Sequence, residues 1–320
     1  MAMNNEKASR LAAKTSVSVR EMIQKNKQSH RSGKWIEWVM PKILWLCAFI
    51  SVLVTIGIIY TLVAETFTFF KEVGVLDFLT GKRWNPWQDS FGILPLISGT
   101  VMITVIAMLV AIPVGLATAI YLSEYASDRM RRIIKPILEV LAGIPTIVYG
   151  FFALTFITPV LRNILPDLSF FNALSAGIVV GVMIIPMVAS LSEDAMRAVP
   201  GSLREGALAL GSTKLETSIK VVLPAAFSGV IASFVLGISR AIGETMIVAV
   251  AAGSTPKLTF DPTQSIQTMT GYIVQIFTGD ATYGSTIYYS VYAVGMTLFL
   301  FTLVMNLIAQ FIARRFREEY

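Results

Sequence analysis

The stretch ILPLISGTVMITVIAMLVAIPVGLATAIYL, residues 93–122, runs from Ile93 to Leu122 without one charged side chain. The hydrocarbon core of a bilayer takes about 20 apolar residues per helical span, so this run is long enough to cross with residues to spare. Four more uncharged runs of at least that length follow the same pattern, at residues 43–64, 140–161, 168–192 and 281–313. A sixth, residues 225–252, is equally apolar but contains Arg240 and Glu244. The whole chain of 320 residues is 55% hydrophobic and 14% charged, with a mean hydropathy of +0.68. Such a balance suits lipid as the main solvent. The expectation is an all-α integral membrane protein of six transmembrane helices.

Charge orients those helices, because loops on the cytoplasmic side hold most Lys and Arg. The first apolar run follows a long polar stretch without a small-residue cleavage site, which reads as a retained span with a cytoplasmic N-terminus. On that topology twenty of the 26 cationic residues face the cytoplasm, nine of them in the tail through Lys42. Outside lie only Lys71, Lys82, Arg83, Arg162 and Lys257, and Arg240 remains within the fifth span. Both termini are then cytoplasmic, with a basic tail over residues 1–40, the spans over 41–313 and a short tail over 314–320. The net charge of +6 is explained by orientation and calls for no nucleic-acid partner. One cysteine, Cys47, and one histidine, His30, leave no material for a disulfide, a zinc site or a catalytic triad.

The polar residues 1–34 offer little to bury and read as disordered or as a surface helix. Between the first two spans, Trp84 and Trp87 flank Pro86, a composition suited to the headgroup interface. In the last outside segment Ile266, Met269, Ile273 and Phe277 fall at helical spacing. They suggest a short amphipathic helix that either gates or docks a partner, or simply packs on the bundle. Pro113, Gly115, Gly143, Pro145, Gly150, Gly177, Gly181 and Pro186 interrupt spans two to four. Small residues permit close helix approach, and prolines free carbonyls that a neighbour or a wet cavity must satisfy.

The cytoplasmic segment 193–224 holds Glu205, Gly206 and Ala207, then Gly211, and ends in Leu223 and Pro224. It resembles the EAA loop of ABC-importer permeases: Glu-Ala-Ala, three residues, Gly, nine residues, then Ile, any residue, Leu-Pro. The match is identical at Glu205, Ala207, Gly211, Leu223 and Pro224, and departs at Gly206 and Val221. A glycine tolerates the backbone angles of a reversal, so two short helices separated at Gly211 are expected. The resemblance implies a type I importer permease in which this loop couples the spans to an ATPase subunit. No phosphate-cradling loop of the chain's own is found; GDATYGST, from Gly279 to Thr286, has Ser285 where the lysine must stand. ATP and Mg would be used by the separate ATPase subunit, and the chain is expected to be a transporter subunit and not an enzyme.

Ionisable residues inside a span are costly and are functional candidates by default. Arg240 and Glu244, four apart, would share one face of a continuous helix and could neutralise one another. A guanidinium offers planar donors to a tetrahedral oxyanion, whereas a carboxylate can accept a hydrogen bond only from an anion that still carries a proton. The pair could equally be a buried ion pair that fixes packing. The segment GISRAIGETM, from Gly237 to Met246, resembles the fifth span of permeases of the phosphate-specific transport system. VGVLDFLTGKRWNP and the extended N-terminus are similar to the PstC-type branch more than to the PstA-type. That likeness implies inorganic phosphate as cargo and a bacterial or archaeal plasma membrane. It further implies a PstA-like permease partner, two PstB-like ATPase subunits and a PstS-like binding protein. Permeases for sulfate or molybdate, or a membrane phosphate sensor that carries nothing, are the alternatives.

Overall fold

The computed structural model describes the backbone of residues 19–279 and 281–315; the expectations for residues 1–18 and 316–320 lie outside the described residues. Two units divide the chain, one through Thr61 and one from Leu62 onward. The first helix, α1 (Val19–Glu72), begins in the polar stretch and becomes apolar all round. At that transition the Lys42 ammonium sits 3.2 Å from the centroid of the Trp38 ring, and Trp45 stacks on Phe49 at 5.4 Å. A cation and indoles at the edge of an apolar run are an interfacial anchor.

From Leu62 onward, α1 leads into α2 (Val75–Thr80) and a two-residue hairpin, β1 (Trp84–Asn85) paired antiparallel with β2 (Ser90–Phe91). Phe69, Phe78, Trp84, Phe91 and Tyr272 interlock edge to face there, with ring centroids 4.9 to 6.2 Å apart. Trp84 is therefore only 3% exposed, which corrects its reading as a headgroup anchor: its neighbours are aromatic rings from three segments. Trp87, 68% exposed, keeps the composition of an interfacial residue.

The second span is α3 (Leu94–Ile120), closed by a π turn at Tyr121–Tyr125. It packs along α7 (below) through small residues. A Cβ on Gly181 would sit 2.7 Å from the Ala107 carbonyl oxygen, and one on Gly115 would meet the Val188 side chain at 2.8 Å. Next comes α4 (Asp128–Gly143), amphipathic and without a buried residue. Its start is fixed by Ser127, whose hydroxyl accepts from the Met130 amide at 3.4 Å. A break at Ile144 and Pro145 separates it from α5 (Thr146–Phe152), a π turn (Ala153–Ile157) and α6 (Thr158–Ile164). The third span is thus Thr146–Ile164; residues 140–143 of the uncharged run belong to the helix before it. Proline removes an amide donor and disfavours helix in the residue before it, so the run is cut where Pro145 stands.

Then α7 (Ala173–Arg197) forms the fourth span, its N-terminus capped by buried Asn172, whose Oδ1 accepts from the Ser175 amide at 2.7 Å. Val179, Val180 and Ile184 of α7 lie with Ile103 and Ala107 of α3 in the central core, all at most 1% exposed. The connecting loop carries α8 (Gly201–Ala209) and α9 (Lys214–Thr217), followed by a π turn (Ser218–Val222) and α10 (Leu223–Ala225). Across Ala226 the axis bends by 75° into α11 (Phe227–Ile242). After a break come α12 (Met246–Ala251), α13 (Met269–Thr278) and α14 (Thr286–Arg315). Among the described residues five helices are long and apolar enough to cross a membrane, and the bent pair makes a sixth. The amphipathic helix exists as α13, but its buried side is Met269, Tyr272 and Ile276, while Phe277 is 57% exposed.

Candidate substrate pathway and coupling loop

The run 225–252, expected as the fifth span, is not one helix. Its backbone stops at Ile242 and resumes at Met246, and the sequence between, Gly243-Glu244-Thr245, supplies both a stop and a start. Glycine weakens the helix, and the Glu244 carboxylate takes over the leading amides of α12. Its Oε1 accepts from Met246 N at 3.0 Å and from Ile247 N at 3.2 Å. The Thr270 hydroxyl donates to the Glu244 carbonyl at 2.7 Å, tying the break to α13. Glu244 is 7% exposed.

This corrects the expected pairing of Arg240 with Glu244. Spacing of four places two side chains on one face only while the helix continues, and it ends between them. Among the described residues no ion pair joins the two. Arg240 instead reaches the Met183 sulfur, 3.9 Å from Nη2, a weak acceptor, and among the described residues its charge meets no carboxylate. It opens into a cavity of about 420 Å3, lined also by Lys135, Glu139, Met183, Ser190 and Glu193. Glu244 does not line it.

Glu193 was not singled out by its sequence, where it merely ends an uncharged run. In the fold it is a fully buried carboxylate near the C-terminus of α7. Arg131 Nη2 lies 2.7 Å and Lys135 Nζ 2.9 Å from its oxygens, and Arg197 Nη1 lies at 3.9 Å. Arg131 and Lys135 stand four apart on α4, so one helix face delivers both cations. That face was a readable signal; its partner, on a segment far along the chain, was not.

The coupling loop has the two expected helices. Gly211 takes φ +88°, a left-handed angle that costs an L side chain strain. Its amide closes on the Leu208 carbonyl at 3.0 Å and the Ser212 amide on Ala207 at 3.2 Å, ending α8. Thr213 and Glu216 form a reciprocal capping box that starts α9. Glu205, Gly206, Leu208 and Leu210 are exposed, Ala207 is half-buried, and Leu223 and Pro224 stand where the segment turns into α11.

What sequence reasoning missed here is Arg204. Its Nη1 donates to the Val199 carbonyl at 2.7 Å and its Nη2 to the Met196 carbonyl at 2.6 Å, satisfying the open end of α7. Nε and Nη2 reach Glu124 of the second span at 3.1 to 3.3 Å. One guanidinium thus binds α8 to the second and fourth spans at once.

Comparison with known proteins agrees with this architecture. Residues 111–318 match the model of the family described as binding-protein-dependent transport system inner membrane component. The chain is 35% identical to a probable ABC transporter permease protein, YqgH, of Bacillus subtilis, over 90% of this chain and 94% of that one. It is 34% identical to the phosphate transport system permease protein PstC of Xylella fastidiosa (76% of this chain, 80% of that). The probable PstC of Methanocaldococcus jannaschii is 32% identical (76% and 83%). Among solved structures, a bacterial ABC transporter that imports alginate matches with a TM-score of 0.61 at 15% identity, over 92% of this chain and 100% of that one. The methionine transporter MetNI matches at 0.53 and 18% identity, over 74% and 100%. These last likenesses speak to fold, which is that of type I ABC importer permeases. The chain belongs to the family of binding-protein-dependent transport system inner membrane components, as a multi-pass permease subunit.

Proposed function

We propose that the chain is a PstC-type permease subunit that carries inorganic phosphate inward by alternating access, driven by ATP hydrolysed on separate subunits. The observation that carries this reading is Arg240: a guanidinium without a carboxylate, in a cavity beside a broken span, in a chain a third identical to phosphate permeases. An anion entering the bundle loses its water, and Arg240 supplies planar, charge-assisted donors in exchange. Glu244 is the second pathway residue, with a different part: its Oε1 holds the break open, and its Oε2, which makes none of those bonds, is the acceptor for a phosphate that keeps a proton. Discontinuous helices near the middle of a span are a recurrent way to place polar groups on a transport path.

The exposed face of α8, with Glu205, Gly206, Ala207 and the turn at Gly211, is the contact for an ATPase subunit, and Leu223 and Pro224 pass its motion to α11. The assembly is a PstA-like permease, two PstB-like ATPase subunits using Mg and ATP, and a PstS-like binding protein, in a bacterial or archaeal plasma membrane with both termini cytoplasmic. A sensor without transport has no use for such a loop.

ATP-dependent uptake of labelled phosphate by the whole complex in liposomes, with competitors, tests this. Unlabelled phosphate should abolish uptake while equal sulfate or molybdate leaves it. Uptake of sulfate or molybdate in preference would make the cargo another oxyanion. Flux without ATP would contradict an ATP-driven importer.

A further inference from the structure

The cavity that receives Arg240 has a second cation in its wall, Lys135, and that ammonium is already engaged by Glu193. A fully buried carboxylate needs about one counter-charge, yet Glu193 meets Arg131, Lys135 and Arg197. Asp194, 3.6 Å from Lys135, Glu139, which lines the cavity, and Asp128, which lines the adjoining groove with Arg131, Arg132 and Lys135, are the other acids at hand. With Arg132 and Arg240, five cations face four carboxylates. Positive charge is in excess, and the side chains of Arg131 and Lys135 remain 22% and 29% exposed. Each has donors left for another anion.

Position adds direction. Glu193 lies one turn from the end of α7, where the chain enters the coupling loop. Arg131 and Lys135 come from α4, which buries no residue and is separated from the span beyond it by Pro145. The cluster therefore sits at the coupling-loop end of the path, on an element held to the fourth span by these ion pairs.

We infer that Lys135 is a second anion station, where phosphate leaving Arg240 exchanges with Glu193 for the ammonium before release to the cytoplasm. Arg131 and Arg197 keep hold of Glu193 during the exchange, so no buried charge is left bare. Glu193 is a resident anion that keeps the station weak and phosphate from lingering. The inference rests on the phosphate reading.

Phosphate on the cytoplasmic face should then occupy the station and slow uptake. The test uses the whole complex in liposomes loaded with ATP and graded unlabelled phosphate, each variant's uptake being normalised to its own rate without internal phosphate. Lys135→Gln should raise the half-inhibiting internal concentration by roughly tenfold, the loss of one charge-assisted hydrogen bond discounted for partial exposure. Lys135→Arg should stay near native, and Glu193→Gln, which frees the cations, should lower that concentration. Opposite shifts are the signature, since a merely structural cluster would move both variants the same way. Native uptake indifferent to internal phosphate, or shifts of one sign, overturns the inference. Should Lys135→Gln fail to assemble, the lowered value in Glu193→Gln against an unchanged Lys135→Arg decides it. The parent reading fails differently, through native-rate phosphate uptake in Arg240→Gln.

Discussion

Glu244 gives up half of its carboxylate to the backbone, and that sets what its replacement does. Alanine removes both acceptor bonds to Met246 and Ile247 and should cost about 1 kcal/mol, as loss of a helix cap does. Glutamine keeps an oxygen in place and should cost much less. Thermal unfolding of the purified complex, read for both variants, checks this; equal losses would mean the cap is idle. The same residue shows where sequence reading ran out. Arg240 and Glu244 were legible as charges inside an apolar run, because composition alone reveals them. Their pairing was not, because it assumed an unbroken helix. Gly243 followed by Glu244 and Thr245 was the stop-and-start signal that the assumption passed over. Glu193 and Lys135 were invisible as a pair for a different reason: nothing local links segments so far apart in the chain.

At the scale of elements, the coupling hairpin was legible almost whole. Gly211 demands a left-handed turn, and the Thr213 and Glu216 box marks the next start. What joins the hairpin to the spans was not, since Arg204 and Glu124 meet across 80 positions. Arg204→Gln removes the charge and most of the donors to Glu124, Met196 and Val199. The coupling helix should then move without carrying the second and fourth spans with it. The expected outcome is an ATP cost per phosphate imported that rises several-fold, while the ATPase subunits still copurify, because five charge-assisted hydrogen bonds act together. An unchanged ratio at reduced total activity would reduce Arg204 to a stabilising contact.

Over the whole molecule, length and hydropathy located the spans because a bilayer imposes both. They did not locate the interruptions at Pro145 and Gly243, which are backbone events that apolar composition does not record. Nor did they show that Trp84 closes an aromatic core at the far end, since burial depends on which rings meet. The loop before α13 has a pH limit of its own. The Thr263 hydroxyl and amide, and the Gln264 side chain, hold the Asp261 carboxyl below its ordinary value. A depressed folded value means that this contribution is fully present above about pH 4, the unfolded range, and is lost as pH falls through the folded value. Protection of the Thr263 amide, its exchange read against the intrinsic rate at each pH, should hold from neutral pH down to about pH 4 and be lost only in stronger acid; loss of protection already near pH 6 would refute the turn's role.

The central claim is that Arg240 meets the cargo, and uptake of labelled phosphate by the assembled complex with Arg240→Gln tests it most directly. At equal assembly and with ATP hydrolysis intact, uptake should be lost, because the cavity keeps its shape and loses its unpaired guanidinium. Uptake at the native rate would contradict the account and leave only the fold and the family standing.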